Sequence, residues 1–203
     1  MTRTIVALSA GLGRPSSTRL LAERLADATA GALRERGETA AVRAVDLREH
    51  AHEVVDAALT GFAPAPLREV LDAVVAADGL VAVTPVFNAS VSGLFKSFLD
   101  VVEPGSITGK PVLLGATGGS ARHSLVLDHA MRPLFAYLGA LAVPTGVFAA
   151  PEDWAGADAR GGLSERVHRA GAELAVQVGA YAPPAPADPF ALTVSFEQLL
   201  AGE

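Results

Sequence analysis

An open, doubly wound α/β sheet with helices on both faces is the fold class the sequence predicts. Short, β-rich apolar runs alternate along the chain with segments of helical period. The runs are continuously apolar rather than alternating, as expected of parallel strands buried on both faces. Glycine- and hydroxyl-rich segments follow several of them, at the strand ends where such sheets bind ligands.

Thr4 to Leu8 is the first expected strand. Leu21, Leu25, Ala28 and Leu33 then recur at helical spacing, and Gly37 lies where a C-cap glycine belongs. Ala40 to Val45 forms the second strand, and Asp46 to Ala65 is expected as a long connection. Pro66 opens a helix whose stripe is Leu67, Val70, Leu71, Val74 and Val75. Gly79 to Thr84 is the third strand, followed by a helix carrying Leu94, Phe95, Phe98, Leu99 and Val102. Pro111 to Thr117 is the fourth strand, and Leu127, Met131, Leu134, Phe135 and Leu138 mark the next helix. Leu141 to Phe148 is the fifth strand, and Val167, Leu174 and Val178 mark a last helix.

Right-handed crossovers limit such an alternation to a flavodoxin-like or a Rossmann-like sheet, and five strands favour the flavodoxin-like order 2-1-3-4-5. One domain is expected over residues 1–181. A proline-rich arm, 182–203, follows it with Pro183, Pro184, Pro186 and Pro189 and ends in the apolar piece Phe196 to Leu200. Such an arm packs on its own domain or on a second subunit.

Composition narrows the function. The 203 residues suit a single domain, and half of them are apolar. With no cysteine, a disulfide framework, a thiolate metal site and a Cys nucleophile are excluded. The N-terminus has no signal-peptide layout. The longest apolar stretch, Leu134 to Ala150, is interrupted by Gly139, Pro144 and Gly146, which does not suit a spanning helix. A soluble cytoplasmic protein without a membrane partner is expected. The net charge of −6 and the scattered arginines argue against nucleic acid.

Three strand-end loops carry the chemistry. The first, Ser9 to Arg19, combines Gly11 and Gly13 with the hydroxyls of Ser9, Ser16, Ser17 and Thr18, and with Arg14, at a helix start. Free N–H groups and the positive end of the helix dipole favour an anion there. A simple N-cap would explain Ser16 or Ser17 alone. Gly11-x-Gly13-x-x-Ser16 lacks the third glycine of a dinucleotide fingerprint, and no Walker lysine is present, so a monophosphate fits the loop better. The second loop runs from Thr84 through Pro85, Val86, Phe87 and Asn88 to Gly93. It offers an apolar wall and backbone polar groups to a flat heterocycle, although Phe87 in the core of an ordinary turn is the plainer alternative. The third, Thr117-Gly118-Gly119-Ser120 with Arg122 and His123, lets the backbone approach a ligand closely. Arg122 is a candidate for a cofactor phosphate or a solvated helix-start residue, and His123 a candidate ligand neighbour, a helix N-terminal residue or a subunit contact.

At these residues the chain resembles the NADPH-dependent FMN reductase family, from the first strand to at least the fourth helix. Arg14 and Ser17 match the end of that family's Gly-Ser-x-Arg-x-x-Ser loop, with Leu8 standing where the family has glycine before Ser9. Pro85, Asn88, Ser90, Gly93 and Lys96 match its Pro-x-Tyr-Asn-x-Ser-x-x-Gly-x-Leu-Lys motif, with Phe87 in place of Tyr. The stretch from Thr117 to Leu134 resembles the flavin reductases that serve two-component monooxygenases. The resemblance implies FMN and NADPH or NADH as cofactors and hydride transfer from nicotinamide to flavin, with no catalytic side chain. As cofactor-binding residues it implies Ser9, Arg14, Ser16, Ser17, Thr18, Pro85, Val86, Phe87, Asn88, Thr117, Gly118, Gly119 and Ser120. A monooxygenase receiving reduced flavin and a homodimer or homotetramer are the expected partners. A quinone or azo-dye reductase and a flavodoxin-type electron carrier are the alternatives.

Overall fold

The computed structural model describes residues 2–155 and 162–182 of the chain. Beyond Ala182, the expected C-terminal arm lies outside the described residues. In chain order the elements are β1 (Thr2–Ser9), α1 (Ser17–Glu35), β2 (Thr39–Asp46), α2 (Ala51–Thr60), α3 (Ala65–Ala76), β3 (Gly79–Phe87) and β4 (Ser90–Val91). They continue with α4 (Gly93–Asp100), β5 (Pro111–Thr117), α5 (Arg132–Tyr137), β6 (Leu141–Ala142), β7 (Val147–Ala149), α6 (Pro151–Ala155) and α7 (Leu163–Ala180). The main strands are parallel in the order β2-β1-β3-β5-β6, with β7 also on β5. Counted by the five expected strands, this is the flavodoxin-like order 2-1-3-4-5.

The pleat sends alternate residues to opposite faces, and each face has its own core. Ile5, Ala7, Val81, Val83 and Leu113 pack under α1 and α7 against Leu21, Leu25, Leu174 and Val178. Val6, Leu8, Leu80, Ala82, Val112 and Leu114 pack on the other face against Val54, Leu67, Val70, Phe95, Phe98 and Phe135. The continuous apolar runs thus reflect burial on two sides. Gly37 has φ +82° and follows the last residue of the α1 cap, as its position in the sequence implies.

Register positions the site. Ser9 lies opposite Asp46 on one side and Val83 on the other. Pro85 lies opposite Thr117, and Thr117 opposite Ala149. The ends of β3, β5 and β7 therefore lie side by side at the carboxyl edge of the sheet.

The structure corrects the sequence reading in three places. Asp46 to Ala65 is not an unstructured connection: a 3-10 turn over Leu47–His50 leads into α2, which buries Val54 and Ala57. The expected fifth strand is broken into β6 and β7. At the break Pro144 has no N–H to give to a ladder. The Arg132 guanidinium donates to the carbonyls of Val143 and Pro144, and the Glu173 carboxylate accepts from the backbone N–H (2.8 Å) and the hydroxyl (2.6 Å) of Thr145. The third strand runs on to Phe87 and folds back as a short hairpin, with Val86 opposite Val91. Asn88 (φ +48°) and Ala89 (φ +63°) form its left-handed apex.

At the opposite pole the buried Lys110 donates from Nζ to the carbonyls of Val75 (3.0 Å) and Ala77, at the end of α3, and lies 5.3 Å from the centre of the Tyr181 ring. Burial lowers its pKa from the ordinary lysine value, against a smaller opposing effect of Asp78. Nearby, Arg3 bonds Glu38 (2.9 Å) and Asp78 (3.2 Å) and the carbonyls of Gly179 and Tyr181, tying the end of α7 to β1. Among the described residues no helix is long and apolar enough to cross a membrane.

Candidate functional site

The turn after β1 begins as an extension of the sheet, with the Ala10 N–H donating to the Val83 carbonyl at 3.0 Å. It ends at Ser16, whose extended backbone starts α1 and whose hydroxyl accepts from the Arg19 N–H at 3.1 Å. Ser16 caps the helix, and it also lines the crevice beyond. Gly11 makes room for it, because a Cβ at Gly11 would run into the Ser16 hydroxyl. In the first turn of the helix the buried Thr18 hydroxyl lies 2.8 Å from that of Thr117 at the end of β5.

The second loop is held from behind. The buried Thr84 hydroxyl accepts from the Ser92 N–H (3.0 Å), and the Ser92 hydroxyl caps α4 by accepting from the Phe95 N–H (3.2 Å). That anchoring leaves the Phe87 ring 45% exposed, a wall residue rather than a core residue. In the third loop the Gly118 N–H donates to the Ala149 carbonyl at 3.2 Å, and a Cβ at Gly118 would press on the Phe148 ring at 2.9 Å. Gly119 faces open space.

These loops enclose a crevice of about 330 Å³ at the carboxyl edge of the sheet. Its walls include Ser16, Ser17, Thr18, Pro85, Val86, Phe87, Thr117, Gly118 and Gly119, all expected from the sequence. Gly11, Leu12, Gly13, Pro15 and Pro151 also line it. Of these, Pro151 had no sequence signal, because only the break after β6 and the pairing of β7 on β5 bring α6 to this edge. Four expected residues stand off the walls. Ser9 faces a separate cavity of about 160 Å³ with Arg19, Glu23 and Asp46. Arg14 is exposed in the turn, Asn88 sits at the hairpin apex, and the Ser120 hydroxyl accepts from the Arg122 N–H at 3.3 Å. Arg122 and His123 lie in an exposed 3-10 turn.

No charged side chain lines the crevice among the described residues. An anion there would meet neutral donors: the hydroxyls of Ser16, Ser17 and Thr18 and the positive end of the 19-residue helix α1. A larger cavity, about 490 Å³, lies at the other pole beside Pro111, Leu141 and Tyr181. It is at the amino ends of β5 and β6, away from the edge where open α/β sheets bind ligands, and the smaller crevice is therefore the functional candidate.

Fold and crevice together define a flavodoxin-like α/β protein with a hydroxyl-lined crevice at the carboxyl edge of its sheet. The profile of the NADPH-dependent FMN reductase family matches residues 3–155, and the chain belongs to that family. It is 38% identical over 152 residues to an FMN reductase (NADPH) from Pseudomonas aeruginosa, across 74% of this chain and 78% of the relative. It is 40% identical over 153 residues to the NADH-dependent FMN reductase SfnE of Pseudomonas putida, across 74% and 78% of the two chains. A solved oxidoreductase from Corynebacterium diphtheriae superposes with a TM-score of 0.85 at 44% identity, covering 89% of this chain and 99% of that one. The chain is thus an NAD(P)H:flavin oxidoreductase that uses FMN and a nicotinamide cofactor.

Proposed function

We propose that the crevice is where this protein holds FMN for reduction by NADPH or NADH, and that the reduced flavin goes to a monooxygenase in the cytoplasm. The observation that carries the reading is the convergence of the α1 N-terminus, with its three hydroxyls, and the exposed Phe87 ring on one crevice. The phosphate of FMN fits the helix start. The flavin ring fits against Pro85, Val86 and Phe87, with the backbone of Gly118 and Gly119 at its edge. When bound, the flavin supplies the hydride-accepting chemistry, and the protein's own part is to bind, orient and shield two rings. Backbone N–H groups at the ring's polar edge would stabilise the charge that arrives with the hydride.

Two apolar faces support a homodimer or homotetramer. Val55, Leu59 and Phe62 form an exposed stripe along and just beyond α2, with Leu59 and Phe62 about four-fifths exposed. Tyr137, 91% exposed, stands beside a groove of about 360 Å³ lined by Leu99, Val102, Pro133 and Leu138. One such face suffices for a two-fold dimer, and two build a tetramer of dihedral symmetry.

Steady-state oxidation of NADPH and NADH with free FMN, a quinone and an azo dye tests the reaction. FMN turning over fastest supports the reductase. A preferred quinone or dye points to the alternative reductase, and FMN-binding protein that oxidises neither nucleotide points to an electron carrier.

A further inference from the structure

Beside the crevice lies a second cavity of about 410 Å³, between α1, α6 and α7, lined by Arg24, Asp27, Trp154 and His168 among others. Two elements lead from one to the other. On α1, Ser17 lines the crevice and Arg24 lines the cavity. The two are seven residues apart, two turns along one stripe of the helix and roughly 10 Å. On α6, Pro151 lines the crevice and Trp154, one turn further on, lines the cavity. The Arg24 guanidinium lies 5.2 Å from the centre of the Trp154 ring, at cation–π distance. Among the described residues Arg24 makes no ion pair. An aromatic plane, a cation beside it and a carboxylate one turn along α1 are the chemistry that recognises a base, a phosphate and a ribose hydroxyl.

We propose that this cavity is the subsite for the adenosine end of the nicotinamide cofactor. Trp154 stacks on the adenine, Arg24 engages the 2′-phosphate that distinguishes NADPH from NADH, and Asp27 stands where it can accept from a ribose hydroxyl. The proposal rests on the crevice as the flavin site, with the pyrophosphate crossing between the two along α1 and α6. It moves recognition of the 2′-phosphate away from Arg122, which lies in an exposed turn off the crevice wall.

Trp154 is the only tryptophan of the chain and lines this cavity, so its fluorescence reports on it. Adenosine 2′,5′-bisphosphate added to FMN-free protein is expected to change that fluorescence saturably. Arg24→Ala is expected to weaken the response about tenfold, in line with the loss of a charge-assisted hydrogen bond. The same variant should raise KM for NADPH about tenfold while leaving KM for NADH and the affinity for FMN nearly unchanged. Trp154→Ala should raise KM for both nucleotides. Unchanged wild-type fluorescence at saturating bisphosphate, or equal effects of Arg24→Ala on NADPH and NADH, would overturn the proposal. Wild-type protein that oxidises neither nucleotide with FMN, yet still responds to the bisphosphate, would instead remove the flavin reading on which it rests.

Discussion

The hydroxyls of Thr18 and Thr117 lie 2.8 Å apart, joining the first turn of α1 to the end of β5 across the floor of the crevice. Each hydroxyl has one proton, and the pair consumes one of the two in its own bond. The second remains available to a ligand oxygen. Thr18→Val and Thr117→Val should each destabilise the fold by about 1–2 kcal/mol, because each leaves a buried hydroxyl unpaired. The double variant should cost less than the sum, since the two residues share one interaction. Denaturant titration of the four proteins of the cycle checks this, with FMN affinity falling in both single variants.

Gly11 is expected to tolerate no side chain. In Gly11→Ala the new Cβ displaces the Ser16 hydroxyl, which caps α1 and lines the crevice. The loss of the cap costs about 1 kcal/mol. FMN binding should weaken as well, measured per folded molecule. A Gly119→Ala variant, whose Cβ meets nothing within 4 Å, is the control that leaves stability unchanged.

Lys110 sets an alkaline dependence of stability. Burial lowers its pKa in the folded protein. Between that value and the unfolded one, the unfolded chain holds a proton that the folded chain has lost, so stability rises with pH across that window. Below the window both states are protonated and the contribution is constant. Denaturant unfolding of the wild type should show this alkaline rise, and Lys110→Met should lack it.

The exposed stripe of α2 bears on assembly. Phe62→Asp places a charge on a residue that is 78% exposed, so the fold should be unaffected. Light scattering should show wild-type protein larger than the 20.7 kDa chain at micromolar concentration, and the variant should shift towards monomer. Tyr137→Asp should produce a separate reduction if the second face is also used.

The sheet was legible because its central strands are buried on both faces, which makes Thr4 to Leu8, Gly79 to Thr84 and Pro111 to Thr117 continuous apolar runs. Helix α2 escaped because it buries only Val54 and Ala57, too few positions to show a period. The break between β6 and β7 depends on distant partners, Arg132 and Glu173, which no local pattern reveals. The site divides the same way. Ser16, Thr18 and Gly118 were readable as turn and cap chemistry beside a helix start, whereas Pro151 reaches the crevice through tertiary placement alone. Arg14 was singled out for its charge, but the structure places that charge in solvent and lines the crevice with neutral donors.

The central claim is that the α1 end of the crevice holds the phosphate of FMN, and titration calorimetry with FMN and riboflavin tests it most directly. On that claim the hydroxyls of Ser16, Ser17 and Thr18 and the helix terminus meet the phosphate and no other part of the ligand, each charge-assisted bond contributing roughly 1.5–3 kcal/mol. FMN is therefore expected to bind at least about tenfold more tightly than riboflavin, and Ser16→Ala with Thr18→Ala should narrow that gap. Equal affinities of the wild type for the two flavins would contradict the account.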